Sequence, residues 1–184
     1  MRWPPCGCRE SWPPTMFERA LIHQAKAVLD GCRDGGLKLA TAESCTGGLI
    51  AAVLTDIAGS SAVFERGFVT YSNAAKAELL GVPMDLIDRH GAVCEQVARA
   101  MAEGALARSR ADIAVSVTGI AGPRGGTAEK PVGLVHFDTA RREHLTHAAV
   151  MRFGDQGRDK IRKLSVKTAL EMVLAAVREG GLTA

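Results

Sequence analysis

The chain has 184 residues, 47% of them hydrophobic and 23% charged, the balance of one domain that buries a core and stays in solution. This composition excludes wholesale disorder, collagen-like repeats and coiled-coil rods. With 23 Lys and Arg against 20 Asp and Glu the net charge is +3, too small to point to a nucleic-acid partner.

Both tryptophans, Trp3 and Trp12, and four of the seven prolines fall in the first fourteen residues. Paired prolines among small and charged residues hold neither helix nor sheet. Residues 1–15 are therefore expected to be a disordered extension, or a start placed too early with Met16 as the natural one, and residues 16–184 form the domain. The N-terminus has no apolar signal segment, and no run approaches the roughly 18 apolar residues of a membrane span. Five cysteines (Cys6, Cys8, Cys32, Cys45, Cys94) make an odd total with no C-x-x-C pair, which fits a reducing cytoplasm. Cys6 and Cys8, or His144 and His147, lack the further ligands a structural metal requires, so no metal is expected.

From Met16, the apolar positions Phe17, Ala20, Leu21, Ala25, Val28 and Leu29 recur at helical spacing until Gly31 and Gly35-Gly36 stop the pattern. Residues 37–42 read as a short strand, and Thr46-Gly47-Gly48 leads into an apolar helix over 49–54. A second strand spans 63–71, and a helix over 74–80 is closed by Gly81 and Pro83. An alanine-rich helix covers 95–109. A buried strand over 111–118 enters a glycine-rich loop at 119–126, strands follow at 132–138 and about 144–153, and a long helix covers 159–178. This alternation predicts a mixed α/β sheet covered by helices on both faces, ending in an antiparallel hairpin.

Three segments carry candidate chemistry. In Ala42-Glu43-Ser44-Cys45-Thr46-Gly47-Gly48 a strand gives way to a helix, and the free N–H groups of a helix start suit an oxyanion or a phosphate. Ser44 is a nucleophile there, or else Ser44 or Thr46 caps the helix. Cys45 competes for the nucleophile role, since a thiolate attacks more readily, but neighbouring side chains do not face one pocket together. In Thr70-Tyr71-Ser72-Asn73-Ala74-Ala75-Lys76 a strand end delivers Tyr71 and the next helix delivers Lys76. A partly desolvated lysine can serve as the base that a serine needs; the alternatives are a solvated Lys76 and a half-buried Tyr71.

The third segment, Thr118-Gly119-Ile120-Ala121-Gly122-Pro123-Arg124-Gly125-Gly126, lets backbone N–H groups approach an anion but matches neither the P-loop nor the dinucleotide fingerprint. Arg158 opens the last helix, where a cation is unfavourable unless an anion compensates it. That anion is a substrate phosphate, or one of the neighbouring carboxylates Asp155 and Asp159.

TAESCTGG, TDIAGSSAVFERGFVTYSNAAK, HGAV, and SVTGIAGPRGG with EKPVG stand in one order over about residues 16–180. Together they resemble the C-terminal domain of the competence/damage-inducible protein CinA, whose single-domain members are nicotinamide-nucleotide amidohydrolases. The resemblance implies a three-layer α/β/α fold and hydrolysis of the carboxamide of nicotinamide mononucleotide to nicotinate mononucleotide and ammonia. It implies a serine–lysine site without metal or cofactor, in pyridine nucleotide salvage, and a homo-oligomer.

Carried onto this chain, the resemblance makes Ser44 the nucleophile, Lys76 the base and Tyr71 a partner that positions or relays the proton. Main-chain N–H groups of Cys45 and Thr46 would hold the oxyanion, and Ser61, Asn73, Thr118, Gly119 and Arg158 would contact the substrate. The competing readings are a non-catalytic binding module and an amidohydrolase for another small amide.

Overall fold

The computed structural model describes residues 17–179, so the expectations for residues 1–15, Cys6 and Cys8 included, lie outside the described residues. The chain runs through α1 (Arg19–Asp34), β1 (Leu39–Glu43), α2 (Leu49–Thr55), a 3-10 turn (Ser60–Ala62) and β2 (Phe64–Val69). It continues through α3 (Asn73–Leu80), α4 (Met84–His90), α5 (Glu95–Ala107), β3 (Ile113–Gly119), β4 (Leu134–Arg141), β5 (His147–Arg152) and α6 (Arg158–Glu179). The strands form one sheet in the order β2-β1-β3-β4-β5. β1 is parallel to β2 and β3, while β3–β4 and β4–β5 are antiparallel. The mixed sheet and its terminal hairpin are as the sequence predicts.

Successive strand side chains point to opposite faces, and the two faces differ in size. Leu39, Ile113, Val115, Val117, Val135 and Phe137 meet α1, α2 and α6 in the larger of two buried clusters. Ala40, Ala42 and Ala114 face the other way, onto Leu80, Val82, Ile87, Val97, Met101 and Ala105 of the α3–α5 layer. Small residues on both sides of that second interface let α5 lie close to the sheet. Within the layer α5 also packs tightly on α3: a Cβ at Gly104 would come within 2.1 Å of the Leu80 carbonyl oxygen. The result is three layers, helices on both faces of one sheet.

Arginines close the helices at the end of the sheet away from the strands' carboxyl edge. Arg142 donates from Nη2 to the carbonyls of Leu106 (3.1 Å) and Ser109 (3.2 Å) at the end of α5, and Arg141 donates to the Ala176 carbonyl of α6. Cations there complement both the orphan carbonyls and the negative end of the helix dipole.

Element ends shift by up to three residues from the sequence reading, and two departures have a plain structural cause. α1 passes through Gly31 to Asp34, because Gly31 packs against α6, where a Cβ would sit 3.3 Å from Val177. That contact outweighs the roughly 1 kcal/mol cost of a glycine inside a helix. α4 has no counterpart in the sequence reading: it is seven residues long, begins after Pro83 and buries only Ile87, too little for a periodic signal.

The chain leaves β1 for β2 on one side through α2, and returns to β3 on the other side of β1 through α3–α5. The carboxyl end of β1 therefore opens between two diverging connections, the place where open α/β sheets bind ligands.

Candidate active site

At the end of β1 the ladder continues one residue past the strand, the Ser44 N–H donating to the Val117 carbonyl at 3.0 Å. The chain then turns sharply: the Gly47 N–H donates to the Ser44 carbonyl at 3.1 Å, and Gly47 and Gly48 take φ values of +61° and +95°. Residues with a Cβ rarely adopt that backbone, which is why two glycines stand here. The turn lifts Ser44 above the sheet edge.

The start of α2 is capped by neither Ser44 nor Thr46, as the sequence reading allowed, but by Glu43. This carboxylate is fully buried and accepts from the N–H groups of Gly48 and Ile50, each at 3.0 Å, and of Ala51 at 2.8 Å. Glu43 points to the α2 face of β1, and a carboxylate there satisfies three orphan donors and the positive end of the helix dipole at once. Ser44 is left free of capping duty. A glutamate at the end of a strand directly before a glycine-bearing helix start is the signal that sequence reasoning passed over.

Lys76 reaches Ser44 from α3, whose first turn is capped by Ser72, its Oγ accepting from the Ala75 N–H at 3.1 Å. The Lys76 side chain is 1% exposed. Its Nζ donates to the Thr70 carbonyl at 2.8 Å and lies 3.0 Å from Ser44 Oγ. Burial pushes its pKa below the ordinary lysine value of 10.5, with Cys45 acting weakly the other way. A solvated Lys76 is thereby excluded.

Cys45 lies against the same cavity but is 5% exposed, and burial pushes its thiol up to about 12. Such a thiol carries almost no thiolate at neutral pH. Ser44, and not Cys45, is the hydroxyl or thiol hydrogen-bonded to the lysine.

A cavity of about 280 Å³ opens in front of this pair. Tyr71, Asn73 and Lys76 come from the end of β2 and the start of α3, and Thr118 and Gly119 from the end of β3. The loop 120–125, the Ala92-Val93 segment and Arg158 complete its wall. Its basic side chains are Lys76, Arg124 and Arg158, and among the described residues no Asp or Glu lines it. The Thr118 hydroxyl donates to the Ala92 carbonyl at 2.8 Å and so ties the HGAV segment to β3.

Arg158 pairs with neither Asp155 nor Asp159. Its Nη1 donates to the Gly122 carbonyl at 3.1 Å and its Nη2 to the Tyr71 hydroxyl at 2.7 Å. Tyr71 is thus engaged by Arg158, and among the described residues its hydroxyl makes no hydrogen bond to Ser44 or Lys76, so the expected proton relay is not what the geometry provides. The reason is reach: Tyr71 is 59% exposed at the rim, while Lys76 is held inward by Thr70.

The glycine-rich loop lies flat on the segment before β4, where Cβ atoms at Gly122 and Gly126 would come within 2.7 and 2.8 Å of Val132. The Gly122–Pro123 peptide bond is cis. Arg124, at the tip of this loop, was not singled out by the sequence reading.

Two expected contacts are not brought to the cavity. Ser61 stands exposed in the 3-10 turn before β2, at the amino end of that strand, whereas the cavity collects at the carboxyl ends. Thr46 is fully buried behind the wall, and its carbonyl accepts from Arg162 of α6 at 2.7 Å. Its N–H donates to no protein acceptor among the described residues. Among the described residues no three His, Cys, Asp or Glu side chains converge as a metal site, and no helix is long and apolar enough to cross a membrane.

Comparison with known proteins places this geometry in a family. A solved structure of the competence/damage inducible protein CihA from Agrobacterium tumefaciens superposes with a TM-score of 0.87 at 53% identity, covering 90% of this chain and 99% of that one. The nicotinamide-nucleotide amidohydrolase PncC of Escherichia coli is 51% identical over 158 residues, 85% of this chain and 94% of the relative. A CinA-like protein of Akkermansia muciniphila is 52% identical over 158 residues, and there the chain spans only 38% of the relative's length. The model of the CinA C-terminal domain matches residues 22–177, and the chain belongs to that family.

Proposed function

We propose that this protein hydrolyses the carboxamide of nicotinamide mononucleotide to nicotinate mononucleotide and ammonia, with Ser44 as nucleophile and Lys76 as general base. The observation that carries this reading is the buried Lys76 Nζ 3.0 Å from Ser44 Oγ, in a cavity also lined by Arg124 and Arg158. The relative of similar length in Escherichia coli bears the name of this activity.

An amide is a poor electrophile and a serine hydroxyl a weak nucleophile, so both must be activated. Neutral Lys76 accepts the Ser44 proton as Oγ bonds to the carboxamide carbon. The Cys45 N–H, at the turn beside Ser44, receives the oxyanion. Protonated Lys76 then delivers its proton to the departing nitrogen, the carbon–nitrogen bond breaks and ammonia leaves. Water attacks the acyl-serine ester with Lys76 again as base, which releases the nicotinate group and restores Ser44. Loss of one oxyanion donor typically costs about 10²–10³ in rate, so the turn weighs as much as the side chains.

Arg158 and Arg124 line the same cavity and suit the phosphate of the nucleotide, with Asn73 and the glycine-rich loop also in its wall. The proposed product is a substrate for pyridine nucleotide synthesis, so the reading is of a nucleotide-salvage enzyme, which the odd cysteine count without a C-x-x-C pair assigns to the cytoplasm.

The test is ammonia release from nicotinamide mononucleotide in the presence of EDTA by wild type, Ser44→Ala and Lys76→Ala. Activity in the wild type that survives EDTA and falls at least about 10³-fold in both variants supports the reading. No release by folded wild type overturns it in favour of another amide or a binding role.

A further inference from the structure

Arg162 is half-buried on α6, and it spends its charge on a backbone carbonyl. Its Nη2 donates to the Thr46 carbonyl at 2.7 Å, while its Nε is buried with no hydrogen-bond partner. Burying part of a guanidinium for one neutral acceptor is costly. A carbonyl beside the exposed Gly47 could be satisfied by water at no such cost. The guanidinium also lies close against the turn, since a Cβ on Gly47 would sit 3.5 Å from the same Nη2.

The turn so held is the one that presents Ser44. Its far side is anchored by Glu43, which accepts from three N–H groups of α2, and its near side by Arg162, which donates to its last carbonyl before the glycines. Residues four apart on a helix lie one above the other on the same face, so Arg162 follows Arg158 by one turn of α6. Arg158 reaches the rim through Gly122 and Tyr71, while Arg162 reaches the back of the Ser44 turn through Thr46. One helix face therefore touches both the cavity rim and the turn that carries Ser44.

We propose that Arg162 is a positioning residue for the nucleophile, holding the Ser44–Gly47 turn in its reactive arrangement through the Thr46 carbonyl. This rests on the reading of Ser44 as nucleophile. A misplacement of about 1 Å at a reacting group can cost about 10²-fold, so loosening this turn reduces turnover and leaves substrate binding nearly intact.

The test compares wild type, Arg162→Ala and Arg162→Lys by steady-state kinetics on nicotinamide mononucleotide and by labelling with a fluorophosphonate probe. In the labelling reaction Ser44 Oγ bonds to phosphorus, fluoride leaves and the serine proton passes to Lys76, so its rate reports the nucleophile without the nucleotide. The expected result for Arg162→Ala is kcat and labelling rate lower by about 10–100-fold with KM changed less than about threefold, and partial recovery in Arg162→Lys, which keeps a donor. Labelling of Arg162→Ala at the wild-type rate overturns the proposal. If that variant melts below the assay temperature, Arg162→Gln replaces it under the same criterion. A wild type labelled at Ser44 that releases no ammonia from the nucleotide removes the substrate reading alone, and slower labelling of the variants then still supports Arg162. A folded wild type that takes no probe overturns both.

Discussion

Lys76 Nζ sits between two oxygens, the Thr70 carbonyl at 2.8 Å and the Ser44 hydroxyl at 3.0 Å, in a position that is 1% exposed. The carbonyl fixes the amine's direction and burial removes the water that would stabilise its charge. A lysine so placed deprotonates more easily than one in solvent, which is what a base for serine requires.

The first prediction concerns pH. The reactive form has neutral Lys76, so kcat/KM rises with pH along a limb whose apparent pKa lies below the ordinary lysine value of 10.5, burial being the cause of the depression. Amide hydrolysis followed across alkaline pH checks this; a limb at or above the value of free lysine would remove Lys76 as the base.

Arg158 and Tyr71 separate binding from chemistry. Arg158→Ala removes a cation from the wall and is expected to raise KM for the nucleotide by about 10-fold or more, while residual hydrolysis of free nicotinamide changes little. Tyr71→Phe removes only the hydroxyl that receives Arg158 Nη2, so KM rises by a few-fold and kcat stays. A fall in kcat with KM unchanged would instead return a proton-relay role to Tyr71.

Glu43 is a matter of stability as well as position. Glu43→Ala leaves three helix-start N–H groups, one buried and two partly buried, without their acceptor and is expected to cost about 2–4 kcal/mol, read as a lowered denaturation midpoint.

Gly104→Ala tests the close approach of α5 to α3. The added Cβ would meet the Leu80 carbonyl oxygen at 2.1 Å and its carbon at 3.0 Å, both backbone atoms that cannot swing aside. A loss of about 2–4 kcal/mol in thermal or denaturant unfolding is expected, against the small gain alanine brings to an unobstructed helix.

Asp138 on β4 is fully buried beneath α5, with Arg99 Nε at 3.7 Å. Burial pushes its pKa up to about 6, against Arg99, with Glu103 and Glu95 adding to the rise. The folded value lies above the unfolded one, so the folded state binds more protons between the two and stability falls as pH rises from about 4 to about 6. Asp138→Asn should flatten that dependence and stabilise the protein at neutral pH, by at most about 3 kcal/mol, in a series of melts across this range.

Strand and helix periodicity made most of the fold legible before any coordinates. Among the described residues, all five strands and five of the six helices stand where the sequence pattern puts them, the central strands and the helices because each buries a face whose period is local, and the edge strands β2 and β5 without a fully buried residue. α4 escaped because one buried residue leaves no period, and α1 outran its glycine because α6 packs on it from 146 residues away in sequence, Gly31 against Val177.

The sequence by itself determined which residue types could meet: a serine at a strand-to-helix turn, a lysine on the next helix, a glycine loop and an arginine opening the last helix. It could not decide between Ser44 and Cys45, nor say what caps α2 or whom Arg158 and Tyr71 serve. Those answers depend on burial and direction at the point where β1 lies between β2 and β3, and on contacts such as Arg162 with Thr46 that span 116 residues of chain. Local sequence sets the reach of each side chain, but only the packed sheet and its two helical layers decide which side chains lose their water together and so acquire a shared chemistry.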